Sequence, residues 1–447
     1  MTNWRRLRRM LATALALVAL GMLPPFALAQ EEEATAAVIA GESVARIEAL
    51  RARADVAAAF RFFQAEETRN LGDLVTLTQI PAPPFGEGPR GEKLAQMLRE
   101  AGADDVSIDE IGNVIATRRG RAGARGGAPV VAFAAHIDTV FPAETDVSVR
   151  NEGNVFSAPG IGDNTRGLVA LLSVLRGLNA ANIQTAGDLL FIGTVGEEGL
   201  GDLRGVKHLF SEDGPRIDRL IAIDGGASDA VVAHAIGSHR YRVEFTGPGG
   251  HSWGAFGTAN PAHALGRAIA VFSEKAAAIT AQGPRASFNV GRLGGGASVN
   301  AVPSSVWFEV DMRSGEQAQI DALDAALRSA VAEAVEAENA WASLGDPIRA
   351  ELVAVGQRPA GRGDESASLV QAAFAAIASE GFEPKALASS TDANIAIARG
   401  LPAITLSRGG RGGRAHAPDE FWVNENQHVA LNVLLLVALA EAGIAER

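Results

Sequence analysis

Imidazole and carboxylate side chains follow successive apolar runs of this 447-residue chain, where strands are predicted to end. They are, in chain order, His136 with Asp138, Asp163, the adjacent pair Glu197-Glu198, and Asp224. Each has an ordinary structural explanation on its own, because aspartate caps helices and acidic residues fill solvated turns. Four strand ends in succession are more informative, since ligands of open α/β sheets gather at the carboxyl ends of strands.

Carboxylates gathered at one edge repel one another unless cations neutralise them. A second imidazole, His416, follows the Gly- and Arg-rich loop 408–414 and would join the same edge. Two metal ions with three protein ligands each need six bonds, which five residues supply if one carboxylate bridges. Imidazole and carboxylate ligation suits Zn²⁺, with Co²⁺ or Mn²⁺ as substitutes. The pattern thus predicts two divalent ions per chain, held by His136, Asp163, Asp224, His416 and one acid of the Glu197-Glu198 pair.

Two such ions would give the chain hydrolytic chemistry. Ions about 3.5–4 Å apart share a water, lower its pKa and polarise a substrate carbonyl. The other acid of the Glu197-Glu198 pair would then be free as general base, because a proton must reach the leaving amine. Residues two apart on a strand point to the same side, so the Asp138 carboxylate can support the His136 imidazole. The expected reaction is hydrolysis of a peptide or amide bond.

Short apolar runs separated by helical patterns predict the scaffold that positions these residues. The predicted strands are 129–135, 188–194, 220–223 and 403–407, and the predicted helices are 43–69, 166–178 and 365–381. This alternation favours an α/β fold with a mainly parallel sheet that helices cover on both faces.

The pattern changes after about Gly237. Strand 240–246, helix 261–279, strands 287–293 and 306–313, helix 316–339 and strand 349–355 follow one another. This is the split-βαβ order of a ferredoxin-like α+β domain. We therefore predict a catalytic domain in two parts, 30–236 and 356–447, interrupted by an inserted domain over 237–355.

The first 29 residues have the pattern of a secretory signal peptide. A basic segment precedes the apolar stretch 10–26, and Ala27-Leu28-Ala29 supplies the small residues that a signal peptidase reads. The alternative is a membrane anchor, but Pro24 and Pro25 cut the stretch short of the ~20 residues needed to cross a bilayer. Cleavage after Ala29 predicts a periplasmic or secreted protein with no membrane attachment.

Composition excludes several kinds of site and partner. The chain has no cysteine, so neither disulfides nor thiolate metal ligands are available. Its formal net charge is -12, and loss of the four arginines of the leader makes it -16. Such acidity disfavours nucleic acid and anionic membranes as partners.

From about Leu71 to its C-terminus, the chain resembles the M20 metallopeptidases, which include peptidase T, carboxypeptidase G and acetylornithine deacetylase. The resemblance rests on an ordered set of motifs: His136-Ile-Asp138, Gly162-Asp163-Asn164, Glu197-Glu198, Asp224, Gly249-Gly250-His251, Asn300-Ala301-Val302-Pro303 and His416. It implies that Asp163 bridges the metals, that Glu198 and His416 complete one site, and that His136 and Asp224 complete the other.

The resemblance also assigns roles beyond the metal ligands. It makes Glu197 the general base and Asp138 the partner of His136, and it implies a cis peptide bond between Asp163 and Asn164. The inserted domain would be a lid and a dimerisation module of a homodimer.

Three residues of that lid would act on the substrate. His251 would stabilise the substrate's oxyanion, often from the neighbouring subunit. Asn300 and Arg313 match positions that hold the substrate's carbonyl or carboxylate.

Three functional hypotheses follow. The first is an exported exopeptidase acting on short peptides, and the second is a deacylase that releases amino acids from N-acyl amino acids with the same metals and base. The third belongs to another class, a non-catalytic metal- or peptide-binding protein. Glu197 separates it from the first two, because a binding protein needs no unligated acid beside its metals.

Overall fold

Strands and helices alternate along most of the chain. The computed structural model describes residues 35–122 and 127–445, so the predicted leader and its cleavage site lie outside the described residues. The strands are β1 Thr35–Ala36, β2 Asp105–Ile108, β3 Val114–Arg118, β4 Val131–His136, β5 Arg150–Glu152, β6 Val155–Ser157, β7 Leu189–Thr194, β8 Arg219–Asp224, β9 Ala230–Ala235, β10 Gly237–Thr246, β11 Gly250–His251, β12 Ala286–Gly295, β13 Ala301–Val302, β14 Ser305–Ser314, β15 Arg349–Arg358, β16 Gly361–Arg362, β17 Lys385–Ser389, β18 Ala403–Ser407, β19 Arg411–Gly413 and β20 Phe421–Val423. The helices are α1 Gly41–Arg51, α2 Ala54–Ala65, α3 Glu67–Thr78, α4 Gly88–Glu100, α5 Gly167–Ala180, α6 Arg204–Leu209, α7 Pro261–Thr280, α8 Gln317–Trp341, α9 Ser368–Ser379, α10 Asn394–Ala398 and α11 Gln427–Ala442.

The largest sheet has a parallel centre. Its strands follow the order β17-β9-β18-β8-β4-β7-β3-β2, and β18, β8, β4 and β7 are parallel neighbours. Strand β9 is antiparallel to β18, and β3 is antiparallel to β7. The predicted α/β class is confirmed, with antiparallel strands flanking the parallel centre.

Helices cover both faces of this sheet, which explains why β4 and β7 are buried along their whole length. Phe133 and Phe191 pack into the cluster that α1–α5, α9 and α11 cover. Ala132 and Ile192 point the opposite way, into the cluster that includes residues of α6 and α10.

The inserted segment forms a sheet of its own in the order β12-β14-β10-β15, with every pair antiparallel. In chain order its elements are β10, α7, β12, β14, α8 and β15, which confirms the predicted β-α-β-β-α-β order. Phe245, Phe272, Phe308 and Leu327 lie in its separate hydrophobic core. We call this segment the lid. Its last strand runs to Arg358, three residues past the predicted strand end.

The predicted helical stretch 43–69 is broken into α1, α2 and α3. The chain leaves the helical conformation at Arg53, whose ψ is 138°, and again at Glu66. The breaks let Ile47, Phe63 and Leu74 reach one hydrophobic cluster, which a single straight helix would not allow. In the described part of the chain, no helix has the length and apolar character needed to span a bilayer.

Candidate metal centre

Parallel neighbours bring four of the predicted residues to one edge of the sheet. Strand β4 ends at His136, β7 leads directly into Glu197-Glu198, and β8 ends at Asp224. Because β8, β4 and β7 run the same way side by side, their carboxyl ends share this edge. Asp163 comes from an irregular turn over Ile161–Arg166, just before α5.

Asp163 lies between two histidines. Its Oδ1 is 3.3 Å from His136 Nε2, and its Oδ2 is 3.4 Å from His416 Nε2. His416 Nε2 is also 2.9 Å from Glu198 Oε1. Ligand atoms of His136, Asp163 and Glu198 all lie within 4.8 Å of one another, so this group could hold a metal ion. The two oxygens of Asp163 thus face two different ligand sets.

The tautomer of His136 shows that these residues fit a cation. Its Nδ1 is 3.0 Å from the carbonyl oxygen of Asp138, and because a carbonyl only accepts, Nδ1 carries the proton. Without a metal ion, Asp163 and the neighbouring acids raise the pKa of His136 well above its usual value despite its burial. As a neutral ligand, the ring would present the lone pair of Nε2 towards Asp163. The side chain is 2% exposed, and among the described residues Nε2 has no hydrogen-bond partner. A buried lone pair facing a carboxylate oxygen is satisfied by a metal ion between them.

The acids of the centre have perturbed pKa values. Burial and the neighbouring Asp163 raise the pKa of Asp224 to about 6. Burial also opposes ionisation of Asp163, but contacts with His136, His416 and Arg408 outweigh it and hold its pKa well below the usual range. Hydrogen bonds to Asp163 and Glu198 raise the pKa of His416 to about 10. Ionisation of these neighbouring acids therefore depends on nearby positive charge, which divalent ions would supply.

Asp138 contacts His136 more closely through its backbone than through its carboxylate. Its Oδ1 is 3.7 Å from His136 Nδ1, and the closer partner of the imidazole is the backbone carbonyl of Asp138. The carboxylate instead accepts the backbone N–H groups of Glu197 at 3.0 Å and Glu198 at 2.8 Å. Its effect is to fix the turn that carries the two glutamates. Burial raises the pKa of Asp138 to about 6.

Glu197 is buried beside the centre and is paired with an arginine of the lid. Arg358 donates from Nη1 to Glu197 Oε1 at 2.8 Å and also donates to the Glu197 carbonyl. Ser390 Oγ lies 3.1 Å from the same Nη1. Burial raises the pKa of Glu197 to about 8, and Arg358 opposes that rise.

A pocket of about 420 Å³ opens beside these residues. Its lining includes acids of the centre and three lid arginines: Arg240, Arg313 and Arg358. Ala230, Val232 and Leu387 contribute apolar side chains to the same lining.

Of the three predicted substrate residues, one lines the pocket and two do not. Arg313 lines the pocket, and its Nε donates to Asp311 at 2.6 Å. His251 and Asn300 are not among the residues that line it. They are exposed and adjacent to each other, since His251 pairs with Ala301 and Asn300 O accepts the N–H of Ser252.

Two side chains that support Asp163 were missed by sequence reasoning. Glu420 accepts the backbone N–H groups of Gly160, Gly162 and Asp163 at 2.7–2.9 Å, which fixes the turn that presents Asp163. The predicted cis peptide bond between Asp163 and Asn164 is confirmed in the same turn. Arg408 Nη1 lies 3.4 Å from Asp163 Oδ1. It follows β18, so the rule that pointed to the acids could have pointed to it.

The fold and site are those of a hydrolase that acts on peptide or amide bonds. The sequence matches the model of peptidase family M20/M25/M40 over residues 132–440, and the chain belongs to this family. The predicted resemblance is therefore confirmed, and family membership favours an enzyme over a non-catalytic binding protein. Comparison with curated proteins gives no match.

Solved structures with the same fold include peptidases and amidases. The aminopeptidase PepT from Bacillus cereus is 21% identical, with a TM-score of 0.66 over 84% of this chain and 98% of that chain. The dipeptidase Dug1p from Saccharomyces cerevisiae is 14% identical, with a TM-score of 0.66 over 88% and 99%. A hydantoinase/carbamoylase family amidase from Burkholderia vietnamiensis is 19% identical, with a TM-score of 0.62 over 84% and 97%.

Proposed function

We propose that this chain is a dinuclear metal hydrolase that cleaves the peptide bonds of short peptides. The observation that carries the proposal is the position of Asp163 between two histidines, each facing a different oxygen of its carboxylate. Asp163 would bridge two ions. Glu198 and His416 would complete one site, and His136 and Asp224 the other. Nitrogen and oxygen ligands favour Zn²⁺, with Co²⁺ or Mn²⁺ as substitutes.

The ions would polarise the scissile carbonyl and make a water acidic enough to attack it near neutral pH. Glu197 would take the proton of the attacking water as the C–O bond forms, and would pass it to the amine nitrogen as the C–N bond then breaks. Arg358 holds the carboxylate of Glu197 from the side of the lid. Asp138 fixes its backbone through the hydrogen bond to the Glu197 N–H.

The lid arginines support a substrate with a free carboxylate. Arg313 uses Nε to bind Asp311, which leaves its terminal nitrogens for a ligand in the pocket. A guanidinium fork matches a carboxylate in geometry as well as charge. Among the solved structures of this fold, PepT is an aminopeptidase and Dug1p a dipeptidase, which favours short peptides here too.

The second candidate is hydrolysis of N-acyl amino acids by the same metals and base. The apolar lining residues Ala230, Val232 and Leu387 favour it, because an acyl chain would lie against apolar side chains. The amidase among the structures of the same fold is consistent with this alternative.

We further propose that the enzyme is exported and works as a homodimer. Export is supported by the signal-peptide pattern of residues 1–29, and Edman sequencing of the mature protein should begin at Gln30. The dimer is supported by the exposure of His251 and Asn300, which would reach the pocket of the neighbouring subunit.

A hydrolysis screen tests the proposed reaction. Metal-free mature protein is loaded with Zn²⁺, Co²⁺ or Mn²⁺ and offered dipeptides, tripeptides and N-acyl amino acids in parallel. We expect chelator-sensitive release of amino acids from peptides with a free C-terminus. Faster hydrolysis of the N-acyl series would favour the second candidate, and turnover that survives full removal of metal would contradict both.

A further inference from the structure

Arg408 lies among the proposed metal ligands, and the proposed reaction assigns it no role. It follows β18, whose neighbour β8 ends at Asp224. Its Nη1 lies 3.2 Å from Asp224 Oδ1 and 3.4 Å from Asp163 Oδ1, and its side chain is 12% exposed. A permanent positive charge therefore lies where two carboxylates meet.

On Asp163, Arg408 contacts Oδ1, the oxygen that faces His136. We call the proposed metal site of His136, Asp163 and Asp224 the His136 position. Asp163 Oδ1 faces the unpartnered Nε2 of His136, whereas Oδ2 faces His416. A cation bound by His136, Asp163 and Asp224 would thus share a ligand oxygen with the guanidinium. A guanidinium hydrogen bond withdraws electron density from that oxygen and places a like charge near the ion.

In the described part of the chain, no arginine pairs with Glu198 or His416, the ligands that belong to the other position alone. Glu198 is paired with His416, and the nearby Arg358 donates to Glu197 instead. Asp163 belongs to both positions, so they differ in the contact of Arg408 with Asp224 and with the Asp163 oxygen that faces His136.

The turn that carries Asp163 makes room for this guanidinium at Gly162. A Cβ on Gly162 would lie 3.3 Å from Arg408 Nη2 and 2.9 Å from Glu420 Oε1. A side chain at this position would therefore crowd both the guanidinium and the carboxylate that supports the turn.

We infer that Arg408 makes the two metal positions unequal, so that the ion at His136 and Asp224 binds second and more weakly than the ion at Glu198 and His416. The inference rests on the proposed dinuclear centre. It assigns Arg408 a positioning role that sets how much metal the enzyme needs for full loading. Half-loaded protein would be the main species when metal is scarce.

Calorimetric titration of metal-free protein with Co²⁺ tests this inference without relying on activity. For the wild type we expect two binding steps separated by at least about tenfold in Kd, which is about 1.4 kcal/mol, because the guanidinium repels the second ion at short range. Arg408→Met should tighten the second step by about tenfold and leave the first nearly unchanged. Arg408→Lys keeps the charge and should retain most of the separation.

Arg411→Met is the matched control, because it removes an arginine of the same loop whose side chain is 68% exposed and paired with Glu425. It should titrate like the wild type. An unchanged or weaker second step in Arg408→Met, with two ions still bound, would overturn the role of Arg408 alone. One ion or none in both the wild type and Arg408→Met would instead contradict the dinuclear centre.

Discussion

The carboxylate of Asp138 accepts the backbone N–H of Glu198 at 2.8 Å, so one buried aspartate fixes a proposed metal ligand through its main chain. The same carboxylate accepts the N–H of Glu197, and the carbonyl of Asp138 fixes the tautomer of His136. One residue thus orients the proposed general base and a ligand of each metal position. These contacts give the fully buried Asp138, two residues after β4, a structural role.

Asp138→Asn should therefore weaken metal binding as well as catalysis. Asparagine offers one acceptor oxygen, so one of the two N–H groups would face an amide NH₂ and lose its partner. Loss of such support typically costs about 10- to 100-fold in metal affinity or activity. Metal content after dialysis against a weak chelator, measured with turnover, checks this. The control Asp364→Asn, at an exposed aspartate, should change neither, and an Asp138→Asn protein that keeps wild-type affinity would refute the role.

Arg358 should set the acid limb of the pH profile. Glu197 must be ionised to act as base, so activity is present above its pKa and is lost as pH falls through it. Burial raises that pKa to about 8, Arg358 opposes the rise, and bound cations would lower it further in the loaded enzyme. Arg358→Met should therefore move the acid limb of kcat/KM to higher pH, and Arg358→Lys should restore part of the shift. A limb that does not move would contradict the pairing.

Arg313 should contribute to substrate binding more than to the chemical step. Arg313→Met removes the terminal nitrogens that line the pocket and should raise KM for peptides with a free C-terminus by about 10-fold or more. For peptides with an amidated C-terminus, KM should change little, because they lack the carboxylate. Arg292→Met is the control, since Arg292 is an exposed lid residue paired with Glu309. An equal rise in KM for peptides with a free and with an amidated C-terminus would argue against a carboxylate contact.

His251 should act on the pocket of the neighbouring subunit. A hybrid dimer of one Glu197→Gln chain and one His251→Ala chain, purified through two different tags, would keep one complete site if His251 acts in trans. It should then have about half the wild-type rate, because one of its two symmetric sites is intact. The matched hybrid carries both substitutions on one chain beside a wild-type chain. It should be inactive, whereas action within one subunit reverses the two results.

The central strands of the fold could be predicted from the sequence, because the strands at the site are continuous apolar runs. Strands β4, β7 and β8 are buried on both faces, so their sequences are distinctive and the polar residues after them stand out. Strand β9 was not predicted, although Ala230–Ala235 is also apolar, since it lies only two residues before the first lid strand. Without that boundary, the antiparallel pairing of β9 with β18 was not foreseeable.

Contacts between distant segments account for the residues that were missed. Arg358 and Glu197 are 161 positions apart, and Glu420 reaches Asp163 across 257. No local spacing encodes such pairs. Arg408 was accessible in principle, because it follows a predicted strand of the same sheet. An arginine is not itself a metal ligand, however, so its residue type does not indicate a place among the ligands.

Turnover by metal-loaded Glu197→Gln tests the central claim most directly. Glutamine keeps the shape and the contact with Arg358 but cannot accept the proton of the attacking water. We predict that the variant retains the wild-type content of about two divalent ions, by elemental analysis, and loses at least about 100-fold in kcat. Wild-type turnover by a fully loaded Glu197→Gln protein would contradict a dinuclear metal hydrolase with Glu197 as its general base.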